Sequence, residues 1–196
     1  MKEIEFWFSI GSTYTYLSVI RLKEVEEKFG LKFSWQPFSV RKIMLEMDNV
    51  PFPPTKQVKA DYMWRDIERR AYSYGFEAKV PAPYPLKKFD FANSVAVLGV
   101  QEGWCAEYVS ATYRRWFVDG LEPGSEPNVS ESLREIGLKP GNVLKLAADD
   151  KIQKAYLKQT EQAQSKNIFG SPSFIVDDEL FWGDDRLEDA VNWAQR

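Results

Sequence analysis

Phe8-Ser9-Ile10-Gly11-Ser12-Thr13-Tyr14-Thr15-Tyr16-Leu17 is the stretch in which the hydrophobic period of this chain switches from that of a strand to that of a helix. Upstream, Ile4, Phe6, Phe8 and Ile10 alternate with Glu5, Trp7 and Ser9. Alternate side chains of a strand point to opposite faces, and Trp7 makes the second face partly apolar, so this strand belongs in the middle of a sheet. Downstream from Tyr14, the residues Leu17, Ile20, Val25 and Phe29 follow one helical face, and Gly30 is placed to end it. Leu31, Phe33 and Trp35 then alternate again before Pro37. The reading is strand, helix, strand, with the two strands parallel and the crossover right-handed. Ser12 falls at the join of strand and helix.

A second run, Phe169-Gly170-Ser171-Pro172-Ser173-Phe174, opens the other end of the fold. Phe174-Ile175-Val176 and Leu180-Phe181-Trp182 flank Asp177-Asp178-Glu179, the pattern of an antiparallel hairpin. Asp185 and Glu188 have the spacing of a capping box, with Leu187, Ala190, Val191 and Ala194 as the apolar stripe of the helix it would start. Between the two ends the periodicity is helical. Ala60, Met63, Trp64, Ile67, Ala71 and Tyr74 form one stripe, and Ala92, Val95, Ala96, Gly99 and Val100 another. Cys105, Tyr108, Val109, Thr112 and Trp116 form a third, Pro140 suits a helix start, and Ile152, Ala155, Tyr156 and Ala163 mark a last long helix. The expected organisation is an α/β sheet domain made of residues 1–38 and 168–196, interrupted by an all-helical domain over 39–167. Pro51–Pro54 and Pro81–Pro85 read as loops joining the inserted helical lobe to its core.

Composition excludes several chemistries. The chain has 196 residues and 44% hydrophobic content, enough for one sizeable core, and a net charge of -3, which offers no general attraction for a phosphate backbone. No nucleic-acid partner is expected. No apolar run approaches the roughly 20 residues that span a bilayer, so no membrane segment and a cytoplasmic location are expected. Cys105 is the single cysteine, which rules out an intrachain disulfide, a Cys-x-x-Cys centre and a cysteine-rich zinc site. Histidine is absent, which removes Ser-His and Cys-His pairs and the commonest metal ligand, so no metal is expected.

A serine between strand and helix, taken alone, is an N-cap. It also stands where unpaired N–H groups and the positive end of a helix dipole would favour an anion such as a ligand thiolate. Ser171-Pro172 gains meaning from its pairing with Ser12, because a cis proline at a strand start would leave Ser171 to pair strand-like with a peptide ligand. The acidic pairs Asp149-Asp150 and Asp177-Asp178 read as turn or helix-start residues, whereas Asp184-Asp185-Arg186 could meet the ammonium and carboxylate of an amino-acid-like group. Cys105 lies on an apolar helical stripe and reads as core.

These runs, together with Phe181-Trp182-Gly183-Asp184-Asp185-Arg186-Leu187, resemble the 2-hydroxychromene-2-carboxylate isomerase family, itself related to class kappa glutathione transferases and DsbA-type oxidoreductases. The resemblance covers essentially the whole chain and implies a thioredoxin-like fold, β-α-β then β-β-α, with a large all-helical insertion. It implies glutathione as cofactor and Ser12 as the residue that stabilises its thiolate. The glutathione contacts it implies are Ser12, Thr13, Tyr14, Asn49, Ser171, Pro172, Asp184, Asp185 and Arg186, with Lys42 and Tyr84 in loops near a small-molecule substrate. Thr13 stands where the family has proline. A homodimer is implied as well.

The implied activity is a cis–trans isomerisation of an aromatic-degradation intermediate through reversible thiolate addition. Two alternatives stay open: a kappa-type glutathione transferase or peroxidase, and a non-catalytic thioredoxin-fold binder of glutathione or a peptide.

Overall fold

β1 (Glu3–Phe8) is one of the two inner strands of a four-stranded sheet ordered β2-β1-β3-β4 in the computed structural model, which describes residues 3–49, 52 and 54–196. Val50, Pro51 and Pro53, in the stretch read as a proline loop, lie outside the described residues. β2 (Lys32–Pro37) runs parallel to β1 in the register Ile4↔Phe33 and Phe6↔Trp35. β3 (Ser173–Val176) runs antiparallel to β1 with Phe6 opposite Phe174, and β4 (Glu179–Trp182) closes the hairpin. The two apolar faces expected of the first strand are real: Ile4, Phe6, Trp7 and Phe8 are all buried. Phe6 stacks on Phe8 and Phe174 at centroid distances of 5.3 and 5.4 Å and meets Trp35 edge-on at 5.0 Å. Each such pair adds about 0.5–1.5 kcal/mol beyond area burial, which pins the register of all three strands at one level.

α1 (Thr15–Phe29) connects β1 to β2 and ends at Gly30 in the left-handed region. Then come α2 (Val40–Glu46), α3 (Gln57–Ser73), α4 (Phe89–Glu102), α5 (Cys105–Phe117), α6 (Asn128–Glu135), α7 (Pro140–Ala147) and α8 (Asp150–Ser165), and α9 (Leu187–Ala194) closes the chain. Among the described residues no strand occurs between β2 and β3, and one continuous hydrophobic core joins the sheet to the helices. α4 and α8 pack on β2, α9 packs on β1 and β3, and α1 packs on α5. No helix of the described residues is long and apolar enough to cross a membrane.

Three local expectations are corrected. α2 begins at Ser39, whose side chain accepts from Lys42 N, so Lys42 lies in a helical first turn and not in a loop. The capping box does not form. Residues Asp184–Arg186 make a 3-10 turn, Arg186 holds the cap position of α9 without a side-chain cap, and Glu188 turns to Arg21 instead. Nor is Ser12 an N-cap: α1 starts at Thr15 with Tyr14 before it, and no side chain caps it.

Candidate active site

The loop between β1 and α1 is held from three sides. Asn93 of α4, fully buried, accepts from Ile10 N at 2.8 Å and donates to Ile10 O and Phe89 O at 2.9 Å each. Tyr113 of α5 directs its hydroxyl to Ser9 O at 3.1 Å and Ser12 O at 3.0 Å. Burial holds the Tyr113 phenol well above its ordinary range, so it remains a donor. Thr13 Oγ1 reaches Met63 Sδ of α3 at 3.0 Å. Gly11 has φ +128°, and a Cβ there would overlap the Phe89 ring, so both conformation and space require glycine.

Ser12 and Ser171 meet in this frame. Ser12 Oγ donates to Ser171 O at 2.6 Å, and the Ser171-Pro172 peptide bond is cis. The Ser171 side chain is occupied: its Oγ accepts from Ser9 N at 2.9 Å and lies 2.9 Å from Thr15 Oγ1. Among the described residues no group accepts from Ser171 N–H, and no backbone carbonyl accepts from the N–H groups of Thr13, Tyr14 or Thr15. The half-exposed shelf between the two serines therefore presents Ser12, Tyr14 and Ser171 at the positive end of a fifteen-residue helix, with Thr13 and Thr15 buried behind it. Phe169 and Trp182, whose rings lie 4.9 Å apart, leave an apolar edge beside it, with Trp182 54% exposed.

Other predicted site residues are placed differently. Gly183 N donates to Pro172 O at 2.9 Å, which brings the Asp184–Arg186 turn against the proline. Asp184 turns inward, however, and is only 2% exposed. It receives Arg70 Nη1 at 2.9 Å and pairs with Arg70 Nη2 at 2.6 Å, while Arg21 Nη2 donates to its carbonyl at 2.9 Å and lies 3.9 Å from its carboxylate. Burial outweighs the two guanidinium groups and pushes its carboxyl up to about 6. Asp184 is thus an internal tie between α1, α3 and the turn. Asp185 and Arg186 are exposed and pair with each other at 3.0 Å. Tyr14 sends its hydroxyl to Asp66 at 3.1 Å, and burial with Asp66 beside it raises its phenol. Asn49 is exposed beyond the far end of α2, its N–H bonded to Met44 O at 2.8 Å. Tyr84 lies in the loop before α4, half-buried. Cys105 is 5% exposed and burial raises its thiol, so it has no thiolate character.

The chain matches the DSBA-like thioredoxin domain over residues 3–192. It belongs to the DSBA-like thioredoxin domain family. Within that family it is 26% identical over 95% of both chains to a 2-hydroxychromene-2-carboxylate isomerase of Sphingobium xenophagum. It is 26% identical to one of Pseudomonas putida, over 94% of this chain and 90% of that protein. A solved structure of 2-hydroxychromene-2-carboxylate isomerase superposes with a TM-score of 0.87 at 25% identity, covering 99% of this chain and 96% of that one.

A DSBA-like domain with one buried cysteine has no dithiol of its own and cannot run dithiol–disulfide exchange between its own residues. The groups that fix the β1–α1 loop of this DSBA-like domain, namely Asn93, Tyr113 and Phe89, were not singled out by sequence reading. The available signal was Asn93 itself: an amide among the apolar residues of α4 must find partners, and it finds them in a loop 83 residues away.

Proposed function

We propose that this protein is a glutathione-dependent cis–trans isomerase of the 2-hydroxychromene-2-carboxylate type. The isomerase class rests on relatives of that name matched along nearly their whole length. The observation that carries the glutathione reading is the meeting of Ser12 Oγ with the carbonyl that precedes cis Pro172, in a chain whose only cysteine is buried and which has no histidine.

The residues present fit the tripeptide. Ser171 N–H is an unused donor for its cysteinyl backbone, and the exposed Asp185 and Arg186 would exchange their pairings with each other and with Asp189 for the two charges of its γ-glutamyl end. Thr13 and Tyr14 contribute their N–H groups at the start of α1, Pro172 shapes the floor, and Asp184 holds the turn from inside. When bound, glutathione supplies the thiolate that adds reversibly to a conjugated double bond, turning it transiently into a rotatable single bond. Ser12 has one hydroxyl proton and cannot give it to Ser171 O and to a sulfur at once. Its donation therefore rotates from the carbonyl to the sulfur, while Ser171 O is left to accept a ligand N–H. The helix dipole acts in the same direction as Ser12 and lowers the thiol pKa without an imidazole. A homodimer in the cytoplasm belongs to the same reading.

Isomerisation of 2-hydroxychromene-2-carboxylate, followed spectroscopically with glutathione, with S-methylglutathione and without either, tests the proposal. Turnover should require glutathione and leave its amount unchanged. Turnover without it refutes the mechanism, and stoichiometric consumption would instead indicate a transferase or peroxidase.

A further inference from the structure

A second wall stands beside Ser12 that the glutathione shelf does not use. The Phe89 ring lies against Gly11, and the Arg41 guanidinium stacks over that ring at 4.3 Å from its centroid. Arg41 Nη2 also donates to Leu86 O, at 3.3 Å. The Tyr84 ring follows, edge-on to Phe52 at 6.2 Å and to Trp64 at 6.0 Å. The Arg41 charge also acts on the Tyr84 phenol, so the two groups share one neighbourhood.

Both contacts that orient the Arg41 fork are neutral, a carbonyl and an aromatic face, so its charge is not consumed. Among the described residues no carboxylate forms an ion pair with it. Asp90, the chain neighbour of Phe89, accepts from Tyr156 at 3.2 Å instead. A guanidinium has five donors in a plane, and one bond to Leu86 leaves the edge suited to a carboxylate free. Lys42, one residue on, is turned about 100° round the helix and so does not share this position.

We propose that Arg41 is the specificity-determining residue that receives the carboxylate of a planar conjugated acid, whose ring lies along the half-buried Tyr84 with its reactive carbon toward Ser12. The identity of that acid rests on the isomerase reading; its recognition does not.

Binding of trans-cinnamate and of its neutral isostere trans-cinnamamide, followed by tryptophan fluorescence, tests the recognition directly. Wild type should prefer the acid by about tenfold at low salt, a charge-assisted pair discounted for its exposed side, and the preference should shrink as salt is added. Arg41→Gln should abolish the preference, and Arg41→Lys, which keeps the charge without the fork, should restore part of it. In the isomerase assay, Arg41→Gln should raise KM by about tenfold with kcat within about threefold. Equal wild-type binding of acid and amide, or a preference unchanged in Arg41→Gln, overturns the assignment. An Arg41-dependent preference in a protein that does not isomerise overturns the proposed function and leaves Arg41 standing.

Discussion

Ser12→Ala separates the structural and the chemical work of one hydroxyl. In the folded protein it removes a neutral hydrogen bond of 2.6 Å to Ser171 O. Such a bond contributes about 1 kcal/mol net, or a fall in Tm of about 2–4 °C for a chain of this size. With glutathione bound, the same hydroxyl would donate to a thiolate, and a hydrogen bond to a charged group is worth about 1.5–3 kcal/mol. At 1.36 kcal/mol per pKa unit, its loss raises the bound thiol by about 1–2 units from a value well below the free-cysteine range of about 8.5. At a pH below both values the thiolate fraction, and with it the rate, falls about ten- to a hundredfold, and the fall shrinks as pH rises above the wild-type value. Thiolate absorbance of the glutathione complex against pH, measured at saturating glutathione in both proteins, reads the shift. An identical titration in wild type and Ser12→Ala refutes the reasoning and leaves Ser12 a residue that only braces the Ser171 turn.

Gly11→Ala should cost several kcal/mol and much of the activity, since it combines a φ of +128° with overlap of the Phe89 ring; an unchanged Tm counts against the described loop. Cys105→Ser should keep activity per folded molecule while losing roughly 1–3 kcal/mol of stability, because a hydroxyl replaces a buried thiol without an assured partner. Collapse of activity with glutathione binding intact would move the sulfur chemistry onto the protein. For Asp184 the folded state holds the proton more tightly, with a pKa of about 6 against an unfolded value of 3.8. Its contribution to stability is therefore present at low pH and lost as pH rises from about 4 through 6. The stability of wild type relative to Asp184→Asn should grow on acidification across that window in urea titrations, and the opposite slope would mean that Arg70 and Arg21 win over burial.

Strand–helix–strand at the start and the closing hairpin were readable because each carries its own period and stop signals within a few residues. Phe6 and Trp7 declare a strand buried on both faces without reference to the rest of the chain. The misses have a common cause in non-local competition. α2 and α6 are short, and α2 starts on a Ser39 cap two residues after Pro37, too little sequence to establish a helical stripe. Asp185 and Glu188 have the spacing of a capping box, yet Glu188 is claimed by Arg21, 167 residues away. Asp184 was readable as an acidic site residue but not as a buried one, because its partners Arg21 and Arg70 lie on two other helices. Ser12 was legible as a special position. That its proton goes to Ser171 O depends on two distant loops arriving together.

The inserted helices also complete the reactive loop. Three of them reach it: α4 through Asn93 and Phe89, α5 through Tyr113, and α3 through Met63. The proposed swing of the Ser12 proton from a carbonyl to a ligand sulfur needs a backbone that stays still while the hydroxyl turns. Asn93 closes both polar groups of Ile10, and the Tyr113 hydroxyl lies within 3.1 Å of the carbonyls at either end of the turn, with its one proton to give to either. These are buried amide and phenol groups that cost about 1–3 kcal/mol each if left unpaired, so the loop cannot drift without losing them. The sheet therefore brings Ser12 and Ser171 together while α3, α4 and α5 fix the loop that carries Ser12, and without those helices the loop would lose the bonds that the proposed chemistry needs.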